Sequence, residues 1–275
     1  MRTATSALDM ERPRNLKQAL AVVANDPDMT PMAGCTDLYV AANFGTLEAT
    51  RFLDLSAVAS LRRIAMRGDT LVIGATATYT EIIRSRHVRK ALPMLVEAAR
   101  QIGGLQIQNR GTLGGNIANA SPAGDSLPVL AAADAVVVLE SATGQRRVPV
   151  TEFYTGYRTS VRSRDELITA VELAPQHGAQ WFRKVGTRAA QAISKIVMAG
   201  VRDTPPRIAL GSVAATVVRA SRTEQALADG ADIEEAAGVL GDEIHPIDDV
   251  RSTALYRRTV AANLLRRFWA DTRST

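Results

Sequence analysis

Short apolar runs of strand length alternate along this chain with apolar positions at helical spacing. Leu16, Ala19, Leu20 and Val23 fall on one face of a helix running to about Ala24, with Asn15 as its cap. Residues 1–13 lack such a pattern and read as a frayed end. Asn25-Asp26-Pro27-Asp28 stops the helix. A short apolar segment, Thr30-Pro31-Met32-Ala33, then meets the turn Gly34-Cys35-Thr36-Asp37, and a helix from Leu38 to about Asn43 follows. Such a turn presents backbone amides at a helix start, where anions bind, although a plain side-chain cap by Thr36 or Asp37 explains the same letters. Arg51–Leu55, Ile64–Arg67 and Leu71–Gly74 read as strands. Thr78 or Thr80 opens a short helix, and His87–Arg100 is expected to be one amphipathic helix.

The periodicity lapses between Gln101 and Asp125 and returns in the apolar text from Leu127 to Leu139, read as a helix turning into a buried strand over Ala135–Glu140. Ser141-Ala142-Thr143-Gly144 is a hairpin turn to Arg147–Val150, and Glu166–Leu173 is a further strand. Pro175-Gln176-His177-Gly178 is the best boundary, giving domains 1–175 and 176–275. Beyond it, Trp181–Val185, Ile193–Gly200 and Arg207–Ser212 predict antiparallel strands, and Arg219 or Ser221 starts a helix. Ile233–Leu240 is another helix. A long final helix, Arg251 to about Ala270, is expected to turn Leu255, Val260, Leu264, Leu265 and Phe268 to the core.

The aperiodic stretch, QIGGLQIQNRGTLGGNIANASPAGD, is where chemistry concentrates. Its glycines permit φ > 0 and close approach, and successive turn amides can form an anion nest. Its Asn, Thr, Ser and Asp side chains add short directional hydrogen-bonding groups. A surface turn is the plain alternative, but a loop of about 20 residues with few charges in a compact domain is usually functional. With Met32–Leu38 it makes two Gly/Asn/Asp loops that can grip a diphosphate from opposite sides, a design in which a cofactor brings the chemistry.

Composition narrows the classes. The 275 residues are 46% hydrophobic and 22% charged, with a formal charge of +5 and a pI of about 9.7, which allows a large core. Basic residues are scattered and aromatics are only 4%, against a nucleic-acid groove. A mildly basic surface suits an anionic ligand or an acidic partner subunit. Cys35 is the only cysteine, so the chain holds no internal disulfide and no cysteine-ligated iron–sulfur cluster. His87, His177 and His245 lack metal-ligand spacing. No P-loop, zinc-protease or nucleophile-elbow motif occurs, and Ser121, Asp125 and a distant histidine do not amount to a triad. No apolar run reaches membrane-spanning length and no signal peptide is read, so a cytoplasmic location is expected.

Four stretches carry a specific resemblance: Ala33-Gly34-Cys35-Thr36-Asp37-Leu38; Thr112-Leu113-Gly114-Gly115-Asn116-Ile117 through Ala120-Ser121-Pro122 to Asp125; Phe153–Arg158 with Glu166-Leu167-Ile168; and Phe182-Arg183-Lys184-Val185 with Arg188. Together with GSVAATVVRA and DDVRSTALYRR they resemble the FAD-binding (medium) subunit of the molybdenum hydroxylases, of the xanthine and carbon monoxide dehydrogenase type. The resemblance implies an α+β protein: a two-lobed α/β FAD domain of the PCMH type, then a smaller C-terminal domain with an antiparallel sheet and helices. It implies that Ala33, Gly34, Cys35, Thr36 and Asp37 wrap the FAD diphosphate, with Met32 and Leu38 also cofactor-binding. Ile102, Gly103, Gly111, Thr112, Gly115, Asn116, Asn119, Gly124 and Asp125 would hold diphosphate, ribityl chain and adenosine, with Ile168 and Lys184 beside the isoalloxazine ring or the adjoining cavity. No histidine near these loops suggests covalent attachment, so the flavin is expected to be noncovalent.

The implied partners are an iron–sulfur subunit with two [2Fe–2S] clusters and a large molybdenum-cofactor subunit, with electrons leaving the flavin for NAD⁺ or another acceptor. A self-contained FAD-dependent reductase or oxidase, or a non-catalytic nucleotide-binding module, remain as alternatives. The sequence departs from the family where Cys35 stands in place of a usual glycine; its Cβ would crowd the diphosphate unless the turn has φ < 0. Where relatives that use NAD⁺ often carry acidic residues, this chain has Ala189-Ala190-Gln191-Ala192, which either predicts weaker NAD⁺ affinity or is only a turn, with NAD⁺ bound through other residues.

Overall fold

A computed structural model describes residues 8–273. The first lobe is a three-stranded parallel sheet in the order β1-β3-β2. It comprises β1 (Asp9–Glu11), α1 (Leu16–Asn25), β2 (Thr30–Met32), α2 (Leu38–Phe44) and β3 (Arg51–Asp54). Asn15 caps α1 by accepting the Gln18 amide, and Ala19, Leu20 and Val23 are buried. The expectation of a frayed start is corrected: residues 9–11 pair in register with Arg51–Leu53. Residues 1–7 of that expectation lie outside the described residues.

The second lobe is a five-stranded antiparallel sheet in the order β4-β5-β10-β6-β7. Its opening elements are β4 (Ile64–Arg67), β5 (Thr70–Gly74), α3 (Tyr79–Arg84), α4 (Arg86–Ala91) and α5 (Pro93–Arg100). Next come α6 (Leu105–Arg110), α7 (Leu113–Asn119), α8 (Ser126–Ala132), β6 (Val136–Ser141) and β7 (Gly144–Pro149). The turn α9 (Val150–Phe153), the pair β8 (Tyr154–Gly156) and β9 (Thr159–Ser160), and β10 (Leu167–Leu173) complete it. Thr78 and Glu81 form a reciprocal capping box that starts α3. The single helix expected over 87–100 is two, because Pro93 has no N–H to continue α4 and instead begins α5. The central stretch is also not structureless. It winds into α6 and α7, the latter capped by Thr112, whose hydroxyl accepts the Gly115 amide.

The C-terminal part is a four-stranded antiparallel sheet, β11 (Ala179–Val185), β12 (Ile196–Arg202), β13 (Arg207–Gly211) and β14 (Val218–Arg219), in chain order. It is covered by α10 (Ser221–Ala228), α11 (Ile233–Glu243) and α12 (Ala254–Asp271). On α12, Leu264, Leu265 and Phe268 are buried as expected, but Leu255 is 75% exposed and Arg257 is buried in its place. Arg257 binds the Ile247 carbonyl and the Asp249 carboxylate, so an ion pair and not the apolar stripe fixes the first turn. The second lobe and C-terminal sheet share one apolar core, to which Phe182, Val197 and Ala199 contribute from the sheet and Leu130 and Ala131 from α8. Among the described residues, no helix is long and apolar enough to cross a membrane.

Candidate functional site

Two turns approach each other edge to edge. A Cβ on Gly34 would stand 1.9 Å from the Arg110 carbonyl oxygen and 3.1 Å from the Gly111 Cα, so the first loop packs directly on the start of the second. Between them opens a cavity of about 360 Å³, within the range of small-molecule sites. Its walls include Met32, Ala33, Gly34, Cys35, Thr36, Asp37 and Leu38 from the first loop. Ile102, Gly111, Thr112, Gly115, Asn116 and Asn119 come from the second, and Ile168 from β10.

The first loop keeps its donors free. The amides of Gly34, Cys35, Thr36 and Asp37 donate to no group among the described residues. Cys35 has φ 62°, so the alternative of a right-handed turn at this position is corrected, and the loop takes the left-handed kink of a nest. Neither Thr36 nor Asp37 caps α2. Asp37 instead accepts from Asn119 Nδ2 at 3.2 Å, and Arg158 donates to Asn119 Oδ1 at 2.9 Å, which ties the first loop to the end of α7. Burial pushes the Cys35 thiol up, opposed by Arg110 nearby and reinforced by Asp54.

At Leu113–Asn116 the second loop spends its donors within the protein. Leu113 N–H donates to Ala77 O, Gly114 N–H to Ala75 O, Gly115 N–H to Thr112 Oγ1 and Asn116 N–H to Thr112 O. The anion nest expected in this stretch does not form at Leu113–Asn116, where the amides hold α7 against the end of β5. Its glycines serve close approach; of them only Gly103 has positive φ, and a Cβ on Gly114 would stand 2.6 Å from the Ala75 Cβ. Ser126 Oγ donates to Asn116 Oδ1 at 2.6 Å, and the Asn116 NH₂ has no acceptor among the described residues.

Four expected contacts stand apart from the cavity walls. Gly103 lies behind Ile107, and Gly124 backs the Asn116 side chain. Asp125 and Lys184 are brought to each other: Lys184 Nζ donates to Asp125 Oδ2 at 2.6 Å and to Gln101 O at 2.9 Å, and Ser194 Oγ donates to Asp125 Oδ1. Both side chains are below 10% exposed. Burial raises the Asp125 pKa against the pull of Lys184 and then Ser194. This buried pair fastens β11 to the head of α8.

Sequence reading missed several walls. Tyr79, Thr76, Arg162 and Glu166 also line the cavity. Glu166 is clamped by Arg146 at 2.6 and 2.8 Å and by the Ser163 amide, and Arg146 first among these, against some burial, holds its carboxyl below the usual range. Arg162 is fixed by the carbonyls of Ser163 and Glu166. Periodicity gives no sign of these residues, because the fold alone carries them to the cavity.

The family model for the FAD binding domain in molybdopterin dehydrogenase matches residues 6–176. The chain belongs to the FAD-binding medium-subunit family of the molybdenum hydroxylases. The CO dehydrogenase flavoprotein C-terminal domain matches residues 181–272. The chain is 30% identical over 260 residues to the glyceraldehyde dehydrogenase medium chain of Sulfolobus acidocaldarius, covering 90% of this chain and 92% of that one. It is 29% identical to the nicotinate dehydrogenase FAD-subunit of Eubacterium barkeri, over 94% of each chain. The solved carbon monoxide dehydrogenase of Hydrogenophaga pseudoflava, lacking the Mo-pyranopterin moiety, superposes with a TM-score of 0.88 at 28% identity, covering 94% of this chain and 95% of that one.

The chain is thus an oxidoreductase subunit whose cofactor is FAD. Its residues fit that group. Unpaired amides at 34–37 suit a diphosphate, the cleft has the size of a ligand site, and one buried wall hydroxyl, that of Tyr79, lacks any partner.

Proposed function

We propose that this chain relays electrons within a molybdenum hydroxylase complex. It would receive them from [2Fe–2S] clusters of a separate subunit and pass them on to a final acceptor. The observation that carries the reading is the row of unused amides at Gly34–Asp37, facing a second loop whose amides at Leu113–Asn116 are already engaged. Bound FAD supplies the exchange between one-electron and two-electron partners. The chain's own work is to bind and orient. The amides of 34–37 hold the diphosphate, the Asn116 amide group donates to the polar chain, and Ile102, Leu167 and Ile168 wall off water. The lone Cys35 supports the division of labour, since the clusters must sit elsewhere.

We place the division between cofactor domain and C-terminal domain at 175/176, which the change from the five-stranded to the four-stranded sheet supports. The acceptor is read as one other than NAD⁺. Arg188 donates to the carbonyls of Ala190 and Gln191, which curls the 188–191 turn on itself, and the turn offers no carboxylate for ribose hydroxyls. Co-expression with neighbouring cysteine-rich and large chains, followed by steady-state turnover with NAD⁺ and with an artificial dye, tests both points. Full turnover with the dye and little with NAD⁺ is expected. Failure of the three chains to co-purify overturns the relay, and full turnover at low-micromolar NAD⁺ overturns the acceptor.

A further inference from the structure

Tyr79 opens α3, and its amide donates to the Gly111 carbonyl at 3.1 Å. A Cβ on Gly111 would stand 3.4 Å from the edge of its ring. Gly111 in turn touches Gly34, so the ring lies beneath the neck where the two loops meet. The residue is 2% exposed, lines the cavity, and its hydroxyl has no hydrogen-bond partner.

The polar groups around it are engaged elsewhere. Ser126 Oγ, whose proton goes to Asn116, lies beside it and could accept, but the two hydroxyls do not reach hydrogen-bond geometry. Asp125 is held by Lys184 and Ser194, Asp37 by Asn119, and Tyr154 donates to Ile117 O at 3.3 Å. Burial, first among several influences, raises the phenol's pKa, so it stays a donor at any physiological pH. A buried donor with no acceptor is costly and rare in a finished site.

We propose that the Tyr79 hydroxyl is a cofactor contact, donating a hydrogen bond to an oxygen of the phosphate-bearing chain of FAD. This rests on the FAD-binding reading of the cavity and adds a residue to it. The phenol completes the neck: amides of 34–37 from one side, the Asn116 amide group from another, and the Tyr79 hydroxyl from the floor.

The test is Tyr79→Phe in the full chain. FAD is titrated into flavin-free protein, and the melting temperature of the flavin-free protein is measured beside it. The variant should bind FAD roughly tenfold more weakly, the loss of about one hydrogen bond. Its flavin-free melting temperature should be unchanged or slightly raised, because the change removes an unpaired hydroxyl and keeps the ring. An FAD affinity within twofold of the unsubstituted chain overturns the contact and leaves the FAD reading standing. A fall in flavin-free stability that accounts for the weaker binding also overturns it, since the hydroxyl would then be structural. No FAD uptake by the unsubstituted chain overturns both.

Discussion

The two glycine loops at the cavity look alike as text and do opposite things. Gly34–Asp37 leaves its amides free, whereas Leu113–Asn116 donates every one of its amides to Ala75, Ala77 and Thr112. A glycine-rich turn is therefore not a donor array by composition. It becomes one only where the fold leaves its N–H groups without internal acceptors. The comparison predicts that damage to the second arm shows first in folding stability, and damage to the first arm in flavin affinity.

The largest effect is expected at the far end of the second arm. Lys184→Met leaves the buried Asp125 carboxylate without its cation and should destabilise the flavin-free chain by about 3–5 kcal/mol. Denaturant unfolding reads it. Adding Asp125→Leu to the same chain should recover much of that loss, and a loss near zero in the single variant would break the assignment of this pair to folding.

Next comes Gly34→Ala, where the new Cβ would meet the Arg110 carbonyl at 1.9 Å and force the loops apart. A cost of about 1–3 kcal/mol is expected from such overpacking. Flavin occupancy of the purified chain should fall with it, because the nest amides move. Retained occupancy would show that the diphosphate does not lie on this loop.

Thr112→Val removes the cap of α7 and should cost about 1 kcal/mol in thermal unfolding. It also frees the Gly115 amide, so FAD affinity should drop less than stability does. The reverse ranking would make the second loop the primary donor.

Sequence reading reached most of this architecture where the rule is local. Asn15 and Thr78 cap their helices, and the turns at Gly34 and Ser141 lie where the letters place them. It failed where the deciding partner is remote. Nothing near Gly114 announces that its amide belongs to Ala75, and nothing near Asp125 announces that Lys184 and Ser194 close over it. Tyr79 reads as an ordinary apolar helix start, and only its burial beneath Gly111 reveals a hydroxyl without a partner. On α12 the apolar stripe misled at Leu255, because a buried Arg257–Asp249 pair outweighs one leucine at a helix start.

The smallest effect is expected at Cys35. Its φ of 62° is unfavourable for a side chain with a Cβ. Cys35→Gly relieves that strain but gives the unfolded chain more freedom, so stability should change by less than about 1 kcal/mol. Flavin affinity should hold or rise. A marked loss of affinity would mean that the thiol itself touches the ligand.

Backbone amide exchange with and without FAD tests the central claim most directly. The amides of Gly34, Cys35, Thr36 and Asp37 should exchange quickly in the flavin-free chain and slow markedly once FAD is bound. Those of Leu113 to Asn116 should be protected in both states. Unchanged exchange at 34–37 on FAD binding, or protection gained only at 113–116, would contradict the account.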